Sequence, residues 1–138
     1  MLLALPCIAR LSPAVCAGPR FPVPRILVLD DEPVIRALVA RALGEEGYEV
    51  VTVANGLEGL ETAHRDSFDL VITNNCMRGM SGVEVIERLH QVFPALPVLH
   101  IDDLSHPSVD EFPEDVRTLY KPFSIAALQD AVRTLLAG

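Results

Sequence analysis

Residues 25–36 read RILVLDDEPVIR, and this stretch decides the fold. Ile26–Leu29 is a short run with no polar side chain, the pattern of a strand buried on both faces. Three acids follow at once, Asp30, Asp31 and Glu32. Pro33 then suits the first turn of a helix, where its missing N–H costs nothing. An apolar strand, an acidic turn and a helix start within twelve residues predict a strand–loop–helix unit with carboxylates at its crossing.

The same alternation continues outward. Ile35, Leu38, Val39, Ala42 and Leu43 give a helical stripe that Gly47 can end. Val50, Val51 and Val53 mark a second strand, and Asn55 with Glu58 forms a capping box ahead of a helix with Leu57 and Leu60 inside. Leu70–Thr73 is a third strand, and Ser81 with Glu84 caps a helix faced by Val85, Ile86, Leu89 and Phe93. Pro97–Ile101 and Val116–Tyr120 are two more strands, and Ile125, Leu128, Val132, Leu135 and Leu136 line a last helix. Five strands alternating with helices predict an α/β fold, a doubly wound parallel sheet with helices on both faces. In such sheets ligands sit beyond the carboxyl ends of the strands. Topology there assembles Asp30, Asp31 and Glu32 with Asn74, Asn75 and Cys76, then Asp102 and Asp103, then Lys121.

Composition narrows the function. The chain is half hydrophobic and 22% charged, an ordinary globular balance, with a formal net charge of -8. Residues 1–24 hold Arg10, Arg20 and no acid, so residues 25–138 carry -10. Phosphate backbones and anionic lipid repel such a surface, which argues against direct nucleic-acid or membrane binding. The acidic loop after the first strand also opposes a nucleotide site, which needs glycines and free N–H groups there. Cys7, Cys16 and Cys76 are odd in number and widely spaced, unlike a disulfide framework or a zinc site. Five of the eleven prolines fall in residues 1–24, which read as a disordered Pro-rich extension. Residues 25–138 read as the domain.

Three segments carry a family resemblance. RILVLDDEPVIR at 25–36, DLVITNNCMRGMSG at 69–82 and LYKPF at 119–123 resemble, in order and spacing, the response-regulator receiver domain. The resemblance covers about residues 25–138. It implies a flavodoxin-like five-stranded sheet and a cytoplasmic place in a bacterial two-component system. There a histidine kinase passes a phosphoryl group to an aspartate with magnesium present. It also implies roles: Asp31 as a direct metal ligand, Asp30 acting through water, Cys76 offering its backbone carbonyl, and Lys121 balancing charge.

The departures from the pattern bear on activity. The phosphoacceptor position holds Asn74, which has no anionic oxygen to attack phosphorus. The hydroxyl position holds Asp102, the aromatic switch position holds Thr118, and the usual loop proline is Arg78. The stretch between Asp102 and Lys121 is short and contains Pro107 and Pro113, so the fourth helix is expected to be short or missing. The reading is a stand-alone pseudo-receiver, not an enzyme, with no cofactor or weakly bound magnesium at Asp30, Asp31 and Cys76. It is expected to act on a histidine kinase, an adaptor or another receiver without aspartate phosphorylation. Two alternatives are a receiver using surrogate chemistry, with Asp102 as the acceptor, and a small magnesium-dependent phosphatase. Asp102 is expected either to pair with Lys121 or to point to water, and His100 to be a hydrogen-bonded core residue.

Overall fold

The computed structural model describes residues 23–103 and 116–138. The elements run β1 (Arg25–Leu29), α1 (Pro33–Gly44), β2 (Glu49–Val53), α2 (Gly56–Arg65) and β3 (Leu70–Asn74). Then come α3 (Gly82–Val92), β4 (Val98–Asp103), β5 (Arg117–Lys121) and α4 (Ile125–Ala137). All strand pairs are parallel, in the order β2-β1-β3-β4-β5. The order reverses at β1, between β2 and β3, so the crevice expected of a doubly wound sheet opens where β1 and β3 end.

Alternation along the strands feeds two cores. Ile26, Val28, Leu70, Ile72, Leu99 and Ile101 pack with Val39, Ala42 and Leu43 of α1 and Leu128, Ala131 and Val132 of α4. Leu27, Leu29, Val71 and Val98 pack with Leu60 and Ala63 of α2 and Val85, Ile86 and Leu89 of α3. The near-continuous apolar strands follow from this cover on both faces. Fully burying one such aliphatic side chain is worth about 1.5–3 kcal/mol. Gln129 Nε2 donates to the Ala42 carbonyl at 3.0 Å, tying α4 to α1, and Arg133 pairs at 2.6 Å with Glu46 in the turn after α1.

The helix starts follow their sequence signals. Asn55 Oδ1 accepts from Glu58 N–H at 2.8 Å, while Glu58 Oε1 reaches back to Ala54 N–H at 3.1 Å. Ser81 Oγ accepts from Glu84 N–H at 3.2 Å, but the Glu84 carboxylate turns to Arg88. Ser124 Oγ caps α4 through Ala127 N–H.

Some expectations are corrected. Leu38 is 42% exposed and Leu57 is 59% exposed, because each sits at the rim of its helical stripe. Helix α1 ends at Gly44, and Gly47 serves the following turn with a φ of 93°. Strands β3, β4 and β5 run on to Asn74, Asp103 and Lys121, past their apolar stretches. A parallel ladder needs only backbone partners, so a polar side chain does not end it. The expected short or missing helix between β4 and β5 falls on residues 104–115, outside the described residues, as does nearly all of the expected extension.

Gly82 fixes how closely α3 approaches the sheet. A Cβ there would lie 2.6 Å from the Asn74 carbonyl oxygen and 2.9 Å from Asn75 Cα, both backbone. Gly82→Ala is therefore expected to cost about 1–3 kcal/mol through overpacking. Gly44→Ala meets nothing within 4 Å and serves as control. Urea unfolding of the two variants beside the parent decides it; equal midpoints for all three would mean α3 can move away freely.

Candidate functional site

The site begins with Asp30, which follows β1 directly. Its backbone N–H still bonds to the Val53 carbonyl of β2 at 3.2 Å, so the residue is held to the sheet. Asp30 is 2% exposed, and its Oδ1 accepts from Glu32 N–H at 2.9 Å. An aspartate bonding two residues ahead is a turn-former, and here it steers the chain into α1. Arg36 donates to the Asp30 carbonyl oxygen at 2.6 Å. Asp31 is exposed and lines two shallow clefts, with Arg78 beside both.

Across from β1, Asn74 closes β3 at 7% exposure. Its Nδ2 donates to the Cys76 carbonyl at 2.9 Å. The Cys76 side chain is exposed. Lys121, the last residue of β5, lies 3.5 Å from Glu32 Oε1, bridging the far strand to the loop after β1.

The register assigns the remaining positions to faces. Asn74 lies opposite Ile101, Asp102 opposite Tyr120, and Asp103 opposite Lys121. Successive side chains alternate across a strand. Asn74 and Lys121 thus share the sheet face that packs on α1 and α4, and Asp102 belongs to the other face. The anticipated pairing of Asp102 with Lys121 is not the arrangement found: among the described residues the lysine's ion pair is with Glu32. Asp102 is 3% exposed, so it does not point to water, and its Oδ1 accepts from Asp103 N–H. His100 is fully buried in β4, registered with Thr73 on one side and Thr118 on the other.

Sequence reasoning named all of these positions except Arg36. It also counted Glu32 with the acids without seeing it as the partner of Lys121. The signal for Arg36 was available, since it stands one helical turn after Glu32 in the opening stretch and an arginine there can reach back over the acidic turn.

Charge in the pocket is set by burial. Desolvation is the largest influence on the Asp30 carboxyl and raises its pKa above the ordinary 3.8. The Glu32 N–H and the Lys121 charge oppose that, while Glu32 and Asp31 add to it. Magnesium, which the sequence resemblance implies, takes oxygen ligands. The residues present fit it poorly. Asn74 turns an N–H donor to the carbonyl a cation would use, and Asp30 is already engaged by a backbone N–H. Among the described residues no three acidic, thiol or imidazole groups converge as a metal site.

A raised pKa means that the fold favours neutral Asp30. The stability it contributes is full below 3.8 and is lost as pH rises through the raised value. Asp30→Asn keeps the oxygen that accepts from Glu32 and removes the charge. The variant is expected to melt higher than the parent at neutral pH, with the difference vanishing below the ordinary carboxylate pKa. A lower melting point at neutral pH would show that Lys121 more than offsets burial.

Comparison with known proteins agrees with this geometry. The family model for the response regulator receiver domain matches residues 26–133. Sporulation initiation phosphotransferase F of Bacillus subtilis (strain 168) is 29% identical, with 81% of this chain and 93% of that protein covered. Transcriptional regulatory protein GlrR of Escherichia coli (strain K12) is 32% identical over 80% of this chain, which spans only 22% of that regulator's length. The crystal structure of the receiver domain from hybrid histidine kinase CckA superposes with a TM-score of 0.70 at 31% identity, over 81% of this chain and 98% of that one.

Proposed function

The chain belongs to the response-regulator receiver family, and on that footing we propose that it serves two-component signalling as a pseudo-receiver, through protein contact and without aspartate phosphorylation. The observation that carries this reading is Asn74. It stands at the phosphoacceptor position, is nearly buried, and spends its amide N–H on the Cys76 carbonyl. An amide has no anionic oxygen with which to attack phosphorus, and its nitrogen lone pair is delocalised. Lys121, which would balance a phosphoryl group, is held by Glu32. The partner we propose is a histidine kinase, an adaptor or another receiver, met in the cytoplasm. No described helix is long and apolar enough to cross a membrane.

Nothing in the geometry favours Asp102 as a surrogate acceptor. The register sets it on the opposite sheet face from Asn74 and Lys121. A displacement needs the attacking oxygen in line and within about 3.5 Å of the phosphorus.

Intact-mass spectrometry after incubation with magnesium and a small-molecule phosphodonor tests the reading. The parent protein is expected to gain no phosphoryl group, and Asn74→Asp to gain one. An adduct on the parent would contradict the proposal directly, and peptide mapping would name the group responsible.

A further inference from the structure

We infer that the Asn74 side-chain amide takes the place of a divalent cation in holding the loop between β3 and α3, so that this loop keeps its shape without metal. This goes beyond the functional reading, which concerns protein contact and the absence of phosphoryl transfer and says nothing of how the loop is held.

Three successive backbone carbonyls leave β3 at this point, and the chain satisfies each with its own donors. The Asn74 oxygen accepts from Thr73 Oγ1 at 3.1 Å. The Asn75 oxygen accepts from Gly82 N–H at 2.8 Å, which closes the loop onto the start of α3. The Cys76 oxygen accepts from Asn74 Nδ2 at 2.9 Å. The loop's entry is fixed as well, since Asn75 N–H bonds to the Ile101 carbonyl of β4 at 3.0 Å. Each backbone carbonyl in this row thus has a donor from the chain itself, while the buried Asn75 side-chain oxygen beside them has none among the described residues.

A carboxylate at position 74 changes the balance through one atom. It accepts hydrogen bonds and cannot donate when ionised. An anionic oxygen would then face the Cys76 carbonyl oxygen at hydrogen-bond distance, and the two repel unless a cation or a proton lies between them. Asp30 follows Leu29, which is registered with Thr73, so it brings a second buried carboxyl group to the end of β3 and adds to that cost. The amide supplies the missing positive partner as an N–H, fixed to the chain and present at all times.

The test is thermal unfolding of the full chain in a chelator and in millimolar magnesium, for the parent, Asn74→Asp and Asn74→Ala. The parent is expected to melt at the same temperature in both. Asn74→Asp is expected to melt lower in chelator by about 4 °C or more, with magnesium restoring most of the loss. Asn74→Ala loses the bond without gaining a charge, so it melts low in both conditions. A parent stabilised by magnesium, or an Asn74→Asp variant as stable as the parent in chelator, would overturn the inference. Should Asn74→Asp fail to fold, NMR of the parent decides. Slow exchange of the Asn74 side-chain amide protons, unmoved by magnesium, supports the bond; fast exchange or a magnesium-induced shift refutes it. A phosphoryl adduct on the parent would sink the functional reading and leave this bond standing, whereas a magnesium-dependent parent melt does the reverse.

Discussion

Everything at the pocket depends on β1 being buried on both faces. It is paired with β2 on one edge and β3 on the other, and covered by α1 and α4 on one side and by α2 and α3 on the other. A strand so enclosed has no freedom of register, since a slip of one residue would exchange the contents of the two cores. The residue that follows it is equally constrained. Asp30 leaves the sheet at one fixed point, and its carboxylate must make its bonds there or remain neutral. The pocket is thus a consequence of sheet topology before it is a consequence of chemistry.

The fixed carboxylate explains why the surrounding charges lie where they do. Asp30 loses hydration and receives one backbone N–H in return. The positive end of α1 begins three residues later and favours nearby anions. Arg36 returns over the turn to its carbonyl. Lys121 arrives from the edge strand to Glu32, the most exposed member of the contact. Such a pair at the surface is worth little by itself. Its place matters more than its energy, because it occupies the ammonium group on the side of the pocket where Asn74 sits.

The fold was legible because its signals are redundant. Five apolar runs, two capping boxes and a turn proline all agree, and each survives a local error. The exposed Leu38 and Leu57 misplace a helix edge by one position without changing which face is buried. The site was legible only as a set of positions. Sequence told which residues stand at the strand ends, but the face of Asp102 follows from register, and the partner of Lys121 from where the loop after β1 carries Glu32. Register is settled by cross-strand pairing that no single stretch encodes. Placing Asn74, Asp102 and Lys121 just beyond their strands hid this, since residues inside a ladder obey alternation and residues past its end need not.

Alternation also orders three of the departures that the receiver resemblance implies. Asn74 belongs to the face of Lys121, where it meets the loop carbonyls. Asp102 and Thr118 belong to the other face, in line with His100. On that second face the resemblance implies a ring at the position of Thr118, on the edge strand β5, whereas this chain carries one at the registered position of β4. The two places differ physically. A ring on an edge strand has open space to one side and can turn toward it. The ring of His100, on an inner strand with no exposed surface, has none. The positions that the receiver resemblance assigns to the phosphoacceptor and to the switch, Asn74 and Thr118, therefore lie on separate faces of one sheet.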